Sequence, residues 1–126
     1  MEKLISRLTM FTMPVSNMPK AKEFYADKLG LEITKDYRIN DDMWWVSLAP
    51  GSDIPITLTT YKNLRIKPGA ETIYFLTPDV AAAHKELEGK SVTVNEIKDD
   101  LYGPGSGVKW FNLEDPDGNI IFLTEK

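Results

Sequence analysis

Two carboxylates near the carboxyl terminus are the first candidates for chemistry, because paired acidic groups can act as a general acid and base. Asp115 and Asp117 lie in the segment Asp-Pro-Asp-Gly-Asn (115–119), which precedes the apolar run 120–123. Pro and Gly in such a segment predict a tight turn, in which an Asp side chain accepts hydrogen bonds from nearby backbone. We therefore interpret both aspartates as turn residues, and we expect the preceding Glu114 to cap or pair near the same turn.

The chain has one histidine and no cysteine, which limits nucleophilic and metal chemistry. The absence of cysteine excludes disulfides, thiolate nucleophiles and cysteine metal sites. His84 lies beside three alanines in a segment with helical periodicity, whereas a metal site needs several converging donors. We therefore expect His84 to lie on an exposed helix surface and not to act as a metal ligand.

A loop rich in glycine is the least regular segment of the sequence. Residues 99–107 contain three glycines and one proline, which is incompatible with a helix or strand. A long connection of this type can serve as a lid or a binding loop. Asp99 and Asp100 would then meet a cationic ligand, and Tyr102 would stack on a planar one. The Lys-Ser/Thr ending of a phosphate-binding loop is absent.

The overall composition fits one soluble domain of 126 residues with 42% hydrophobic residues and a net charge of −4. The chain has no basic patch interleaved with aromatic residues, which argues against nucleic acid as a partner. A mildly acidic surface suits a cationic ligand, although solubility explains it equally well. No apolar run is long enough to cross a membrane, and the start MEKLISRLTMF lacks a signal-peptide pattern. We therefore expect no membrane partner and a cytoplasmic location.

Two halves of the chain repeat one pattern, and the capping residues Asn17 and Asp79 lie 62 positions apart. Residues 9–17 align with residues 71–79, since each is a strand-like run that ends in a proline and a helix-capping side chain. Apolar spacing predicts helices over about 18–28 and 80–88. The glycines at positions 30 and 89 would end them.

Three strands are expected after each helix. Apolar runs predict strands at 31–34, 43–48 and 56–61 in the first half, and at 92–97, 108–113 and 119–124 in the second. The fold class is therefore α+β, with two βαβββ modules in a single domain, 1–126. Module one spans about 4–61, the linker about 62–70 and module two about 71–126. A helix covers one face of each sheet, so the other face needs a cover or lines a cleft.

Alternation along the strands predicts which side chains face the helices. The predicted helix-facing set is Phe11, Met13, Val15, Ile73 and Phe75. Trp44 matches the apolar residues at 46 and 48, so the adjacent Trp45 is expected to face the cleft. In the second half, the same choice between Trp110 and Phe111 stays open.

Two motifs give the chain a resemblance to a known superfamily. The sequence FYADKLG (24–30) at the end of the first helix and the DPDGN turn before the last strand together resemble the vicinal oxygen chelate superfamily. Its members include glyoxalase I, extradiol dioxygenases, and fosfomycin- and bleomycin-resistance proteins. The resemblance covers nearly the whole chain. It implies mixed sheets that curve around a cavity, commonly at a dimer interface, and it indicates architecture more than activity because member chemistries differ widely.

The resemblance also implies where a metal would be held. Enzymes of the superfamily bind a divalent metal through four side chains, usually His, Glu or Gln, one from each of four strands. The corresponding positions are Met10, Thr57 or Leu58, Thr72 or Ile73, and Phe122. Met10, Thr72 and Phe122 are not credible ligands for Mg, Mn, Fe or Zn. We therefore expect no metal, no cofactor and no catalytic residues.

Without a metal, we expect an apolar and aromatic cleft with a few hydroxyl groups, as in many ligand pockets. The predicted ligand-binding residues are Met10, Trp45, Thr57, Tyr61, Tyr74, Asp100, Tyr102 and Phe122. The resemblance to bleomycin-resistance proteins then implies a homodimer that sequesters an aromatic or cationic small molecule. Two other interpretations stay open. One is a glyoxalase- or dioxygenase-type lyase or oxygenase with a relocated or absent metal site. The other is a stable dimer with a vestigial pocket, in which the aromatics only fill core and interface.

Overall fold

The computed structural model describes residues 4–51, 53–62 and 66–125. Positions 63–65 of the predicted linker therefore lie outside the described residues. The chain divides into two compact units, Met1–Lys67 and Pro68–Lys126. Each unit combines a β-sheet with a helix, as expected for an α+β fold. Within the described ranges, the helices are too short and too polar to cross a membrane.

Unit 1 contains a four-stranded mixed sheet and a helix. Its elements are β1 (Phe11–Pro14), α1 (Met18–Lys22), a π-helical segment (Glu23–Lys28), β2 (Glu32–Asn40), β3 (Met43–Ala49) and β4 (Ile56–Thr59). The strand order is β1-β4-β3-β2, with β1 parallel to β4 and the other pairs antiparallel. Strand β2 runs to residue 40 instead of ending at 34, because it pairs with the whole of β3.

Unit 2 contains a three-stranded sheet and an α-helix. Its elements are β5 (Thr72–Leu76), α2 (Val80–Gly89), β6 (Trp110–Glu114) and β7 (Ile120–Thr124). The strand order is β5-β7-β6, with β5 parallel to β7 and β6 antiparallel to it. As in unit 1, the strand before the helix is therefore at one edge of the sheet.

The predicted strand at 92–97 is wrong. In this segment Val94 forms one isolated bridge with β6, and Lys98 just beyond it forms another. The backbone carbonyl of Asn95 lies 3.0 Å from Nε2 of His84. This carbonyl therefore pairs with a side chain, whereas in a regular strand it would pair with the backbone of a neighbouring strand. The second unit therefore has one strand fewer than the predicted βαβββ pattern.

The predicted helix starts are confirmed. Helix α1 begins at Met18 after Asn17, whose side chain accepts a hydrogen bond from the Lys20 amide at 3.0 Å. Helix α2 begins at Val80 after Asp79, which accepts the Ala82 amide at 3.0 Å. These side chains satisfy amide groups that have no partner inside the helix.

The first helix widens in its second half. The Leu29 amide donates to the Phe24 carbonyl at 2.9 Å, which is the five-residue spacing of a π-helix. The wider turn lets the adjacent Phe24 and Tyr25 both enter the core, where their rings meet edge-on at 5.2 Å. Gly30, with a φ of 77°, then reverses the chain into β2.

In each unit the helix packs on one face of the sheet and forms the core there. The buried side chains of unit 1 include Met13, Val15, Trp44, Val46, Leu48 and Leu58, and those of unit 2 include Val80, Leu87, Phe111, Leu113, Ile121 and Leu123. Phe11, which was expected in the core, stays 39% exposed at the first position of β1. Ile73 and Phe75 are partly buried.

The DPDGN segment is a turn, as predicted. Oδ1 of Asp115 accepts the amides of Asp117 and Asn119 at 2.9 and 2.8 Å, and its Oδ2 accepts the Asn119 side-chain amide at 2.8 Å. Asn119 in turn accepts the Glu71 amide at 2.8 Å, and the Glu114 carboxylate lies beside Gly118. The turn therefore joins β6 to β7 and also holds the start of β5.

His84 is not exposed, contrary to expectation. It shares a helix face with Val80 and Leu87, which are both buried, so the ring points toward the sheet. The imidazole meets Phe111 edge-on at 5.0 Å, and its Nδ1 lies 3.4 Å from the Glu88 carboxylate. His84 therefore packs between α2 and the sheet, on the helix-covered side.

Candidate functional site

Three aromatic rings lie together on the open face of the unit 2 sheet, which is the face opposite α2. Tyr74 on β5 pairs in register with Phe122 on β7, and their rings stack at 4.4 Å with an angle of 17°. Trp110 on β6 lies 5.2 Å from the Phe122 ring. We call Tyr74, Trp110 and Phe122 the unit-2 wall. Tyr74 is 60% exposed, so the wall presents aromatic surface to solvent.

The structure resolves the choice between Trp110 and Phe111. Phe111 is fully buried against the helix side, and Trp110 therefore faces the open side. The sequence held a signal for this assignment. Leu113 continues the apolar face of Phe111, whereas Asn112 and Glu114 continue the face of Trp110. Trp110 is thus a site residue that sequence reasoning left undecided.

The glycine-rich loop is attached to the unit-2 wall at its base. The Trp110 indole nitrogen donates to Oδ1 of Asp100 at 3.0 Å. The backbone amides and carbonyls of Trp110 and Lys98 exchange two hydrogen bonds of 2.8 Å. Tyr102 lies farther along the loop and is 76% exposed. The structure therefore brings Asp100 to the wall through Trp110 and leaves the Tyr102 side chain largely in solvent.

Unit 1 carries a second aromatic group on its own open face. Trp45 on β3 lies 6.3 Å from the Tyr37 ring and 5.9 Å from the Tyr61 ring. We call Tyr37, Trp45 and Tyr61 the unit-1 wall. Trp44 is buried on the opposite face, so the predicted orientation of the two tryptophans is confirmed. Tyr37 was missed because the predicted second strand stopped before it.

Hydroxyl groups lie beside the unit-1 wall. Thr57 donates to the sulfur of Met10 at 3.2 Å, and its hydroxyl lies 2.8 Å from that of Ser47. Thr57 is only 3% exposed, whereas Met10 is 44% exposed. Four of the predicted ligand residues, Met10, Trp45, Thr57 and Tyr61, therefore belong to unit 1, with Thr57 beneath the surface. Their contact with a ligand stays a prediction.

Two hollows, of about 420 and 320 Å³, lie on the helix side of unit 1, and both are lined by Pro19 and Trp44. Arg38 lies 4.3 Å over the Trp44 ring, and the Trp44 indole nitrogen donates to Asp36 at 2.7 Å. Asp36 also pairs with Lys22 at 2.6 Å. The hydrogen bond from Lys22, helped by Trp44, lowers the pKa of Asp36 although desolvation opposes the shift. Arg38 also pairs with Asp41, so the network holds two cations and two carboxylates. It was not predicted from the sequence.

The residues at the implied metal positions do not fit a divalent metal. The Phe122 ring is stacked in the unit-2 wall, and the sulfur of Met10 accepts a hydrogen bond from Thr57. Within the described part of the chain, no three His, Cys, Asp or Glu side chains come together. Hard and borderline cations need several such oxygen or nitrogen donors. The side chains at these positions therefore do not form a divalent-metal site.

Known proteins with similar sequences and folds agree with this architecture. A Streptomyces sp. CB03234 structure, described as TnmS3, an antibiotic binding protein, is 29% identical with a TM-score of 0.80, and the match covers 98% of each chain. A superfamily member from Sphaerobacter thermophilus DSM 20745 is 28% identical with a TM-score of 0.81 over 98% of this chain and 100% of its own. The Bacillus subtilis protein YetH, described as uncharacterized, is 22% identical over 97% of this chain and 100% of its own length. The profile of one superfamily matches residues 7–123. The chain therefore belongs to the Glyoxalase/Bleomycin resistance protein/Dioxygenase superfamily.

Proposed function

We propose that this protein is a metal-free, non-catalytic binding protein that sequesters a small aromatic or cationic molecule as a homodimer. The observation that carries the proposal is the unit-2 wall. Phe122 contacts the rings of both Tyr74 and Trp110, and Tyr74 remains 60% exposed. Exposed stacked rings offer a planar ligand both apolar burial and favourable ring geometry.

The unit-1 wall supports the same function independently. Trp45 lies between Tyr37 and Tyr61, and it is partly exposed. The nearby Met10 presents a polarizable thioether, which adapts to ligands of varied shape. Aromatic surface with a few polar groups is the usual composition of small-molecule sites.

The similarity to TnmS3 supports a small-molecule-binding role. That protein is described as an antibiotic binding protein, and it shares 29% identity with this chain over nearly its full length. Superfamily membership alone is also compatible with an enzyme. The donor set at Met10, Thr72 and Phe122 favours binding over metal-dependent catalysis.

The homodimer is supported by an exposed edge strand. Strand β5 pairs only with β7 in the described sheet, so its other edge carries unpaired backbone groups. Its side chains Tyr74 and Leu76 are 60% and 72% exposed. A second copy of the chain would cover both the edge and the apolar side chains.

A thermal-shift screen tests the proposed function. The panel contains neutral anthraquinones, cationic acridines and matched aliphatic compounds. A ligand at 100 times its dissociation constant stabilises the folded state by ~2.7 kcal/mol, which is easily measured. We expect planar compounds to raise Tm in the wild type and much less in Phe122→Leu, which keeps apolar bulk but removes the ring. A panel that leaves Tm unchanged at millimolar concentration contradicts the proposal.

A further inference from the structure

We propose that Asp100 positions the Trp110 ring of the unit-2 wall, and that this wall therefore binds neutral planar aromatic ligands at least as well as cationic ones. The inference rests on the proposed function and deepens it. It assigns Asp100 a role different from the expected one, in which its carboxylate would attract a positive ligand.

A hydrogen bond joins the side chains of Asp100 and Trp110. The Trp110 indole nitrogen lies 3.0 Å from Oδ1 of Asp100. An indole N–H can only donate, so a packed tryptophan needs an acceptor at that edge. A carboxylate is a strong acceptor because its charge shortens and strengthens the bond. One oxygen of Asp100 is therefore already engaged before any ligand arrives.

Asp100 is itself held in place by the backbone around it. Its carbonyl accepts the Gly103 amide at 2.9 Å, which closes a turn at the start of the loop. Two residues earlier, Lys98 pairs with the Trp110 backbone through two bonds of 2.8 Å. Ring and carboxylate are thus fixed by the same short stretch of chain. Such preorganisation removes an ordering cost from ligand binding.

Two side chains of opposite charge lie near the Trp110 ring. The Lys98 ammonium lies 5.9 Å from the centroid of the Trp110 ring, while Asp100 lies at the indole edge. One cation and one anion therefore accompany Trp110. These opposite charges give a cationic ligand no net attraction to the ring. Ring shape and apolar burial remain as the source of affinity.

Ring contacts connect Trp110, and through it Asp100, to the rest of the wall. The oriented Trp110 ring contacts Phe122 at 5.2 Å with an angle of 37°, and Phe122 stacks on Tyr74. A Trp110 ring without its acceptor can rotate away from this arrangement. Loss of Asp100 would therefore weaken a ligand that never touches the carboxylate.

Two substitutions at Asp100 separate positioning from charge attraction. Asp100→Asn removes the charge but keeps an acceptor oxygen for the indole, whereas Asp100→Ala removes both. Asp99→Ala is the matched control, because it removes a neighbouring exposed carboxylate. Trp110→Phe removes the indole donor and keeps a ring. The probes are the neutral 9,10-anthraquinone and the cationic acridine proflavine.

The expected result is a loss of affinity for both probes in Asp100→Ala, by about threefold to tenfold for anthraquinone. Asp100→Asn should keep the wild-type affinity for anthraquinone, and Asp99→Ala should stay close to wild type for both probes. Asp100→Ala should not weaken anthraquinone binding further in the Trp110→Phe background. Anthraquinone should bind at least as tightly as proflavine. In nitrogen-15 NMR spectra without ligand, the Trp110 indole resonance should shift in Asp100→Ala and not in Asp99→Ala. That resonance is identified by its absence in Trp110→Phe.

Three results separate the inference from the proposed function. A selective loss of proflavine affinity in both Asp100 variants would show a counter-ion and overturn the inference. If the wild type binds the probes and Asp100→Ala leaves both affinities unchanged, the inference is overturned as well, while the proposed function stands. If the wild type binds neither probe and the indole resonance still responds to Asp100→Ala, the proposed function fails for this ligand class and the positioning of Trp110 stands.

Discussion

At the scale of single residues, Asp115 shows how an acidic side chain near a candidate site serves structure. It is 6% exposed, and its two oxygens accept three hydrogen bonds within the DPDGN turn. Asn119 extends the network to the start of β5. A carboxylate whose oxygens are occupied in this way is not available as a general base. The turn motif of the superfamily is therefore explained here by packing and hydrogen bonding.

Replacement of Asp115 should destabilise the fold. Asp115→Ala leaves three donors in or near the buried turn without their acceptor, which we expect to cost about 2–4 kcal/mol. Urea unfolding measures the loss. The control is Glu114→Ala, which removes an exposed carboxylate next in sequence and should change stability by less than about 0.5 kcal/mol. Equal effects of the two substitutions would contradict this role of Asp115.

Asp36 should make stability depend on pH at the acidic end. Its pKa is lowered below 3.8 in the folded state, mainly by the hydrogen bond from Lys22. A lowered folded pKa means that the stabilisation is fully present above the unfolded pKa and is lost as pH falls through the folded pKa. Asp36→Asn should therefore cost about 0.5–1 kcal/mol at neutral pH, a modest figure because the pair is partly solvated.

Below pH 3.8 the difference in the free energy of unfolding between Asp36→Asn and wild type should shrink. Chemical unfolding from pH 7 to pH 2.5 measures it. The control is Asp41→Asn, whose side chain is 81% exposed and pairs with Arg38. A difference that grows toward low pH would show that Asp36 is not stabilised as a carboxylate.

At the scale of elements, the strands determine which aromatic residues meet. Cross-strand register places Tyr37 opposite Trp45, and Tyr74 opposite Phe122. Adjacent residues on a strand point to opposite faces, so Trp44 enters the core while Trp45 stays on the open face. Each wall is therefore a product of pairing between strands that are distant in sequence or follow one another through a hairpin.

Element starts were more predictable than element extents. Asn17 and Asp79 predicted both helix starts because a helix cap is a local interaction. The extension of β2 over 35–40 was not predicted from this mostly polar segment, since cross-strand contacts such as Tyr37 with Trp45 stabilise it. The segment 92–97 has the alternation of a strand, but its backbone bonds go partly to His84. Tertiary partners thus decided both cases.

The exposed edge of β5 should mediate self-association. We expect sedimentation velocity at micromolar concentration to show a dimer, because Leu76 and Tyr74 expose apolar surface on β5, which has only one strand neighbour in the described sheet. Leu76→Glu should shift the equilibrium toward monomer, since a buried unpaired charge is costly. Ile97→Glu, which charges an exposed apolar residue outside the strands, is the control. A wild type that sediments only as a monomer would count against the homodimer.

At the scale of the whole molecule, two compact units of related design each present an aromatic wall on the open face of a sheet. The superfamily and the α+β architecture followed from local motifs, because caps, turns and a repeat are visible in sequence. The Asp100–Trp110 bond and the contribution of Tyr37 did not follow, since each depends on contacts formed only in the fold. The same architecture supports enzymes and binding proteins, so function depends on the side chains at the site.

The most direct test of metal-free binding is a titration of chelator-treated protein with 9,10-anthraquinone, followed by tryptophan fluorescence. Elemental analysis verifies that Zn, Mn, Fe and Ni are absent from the sample. The proposal predicts saturable binding that is unchanged when each metal is restored, and that weakens by about tenfold or more in Phe122→Ala because a stacking surface is lost. Trp45→Ala, measured in parallel, reports on the unit-1 wall. Binding that appears only after a metal is restored, or conversion of the compound to a product, would contradict the proposal.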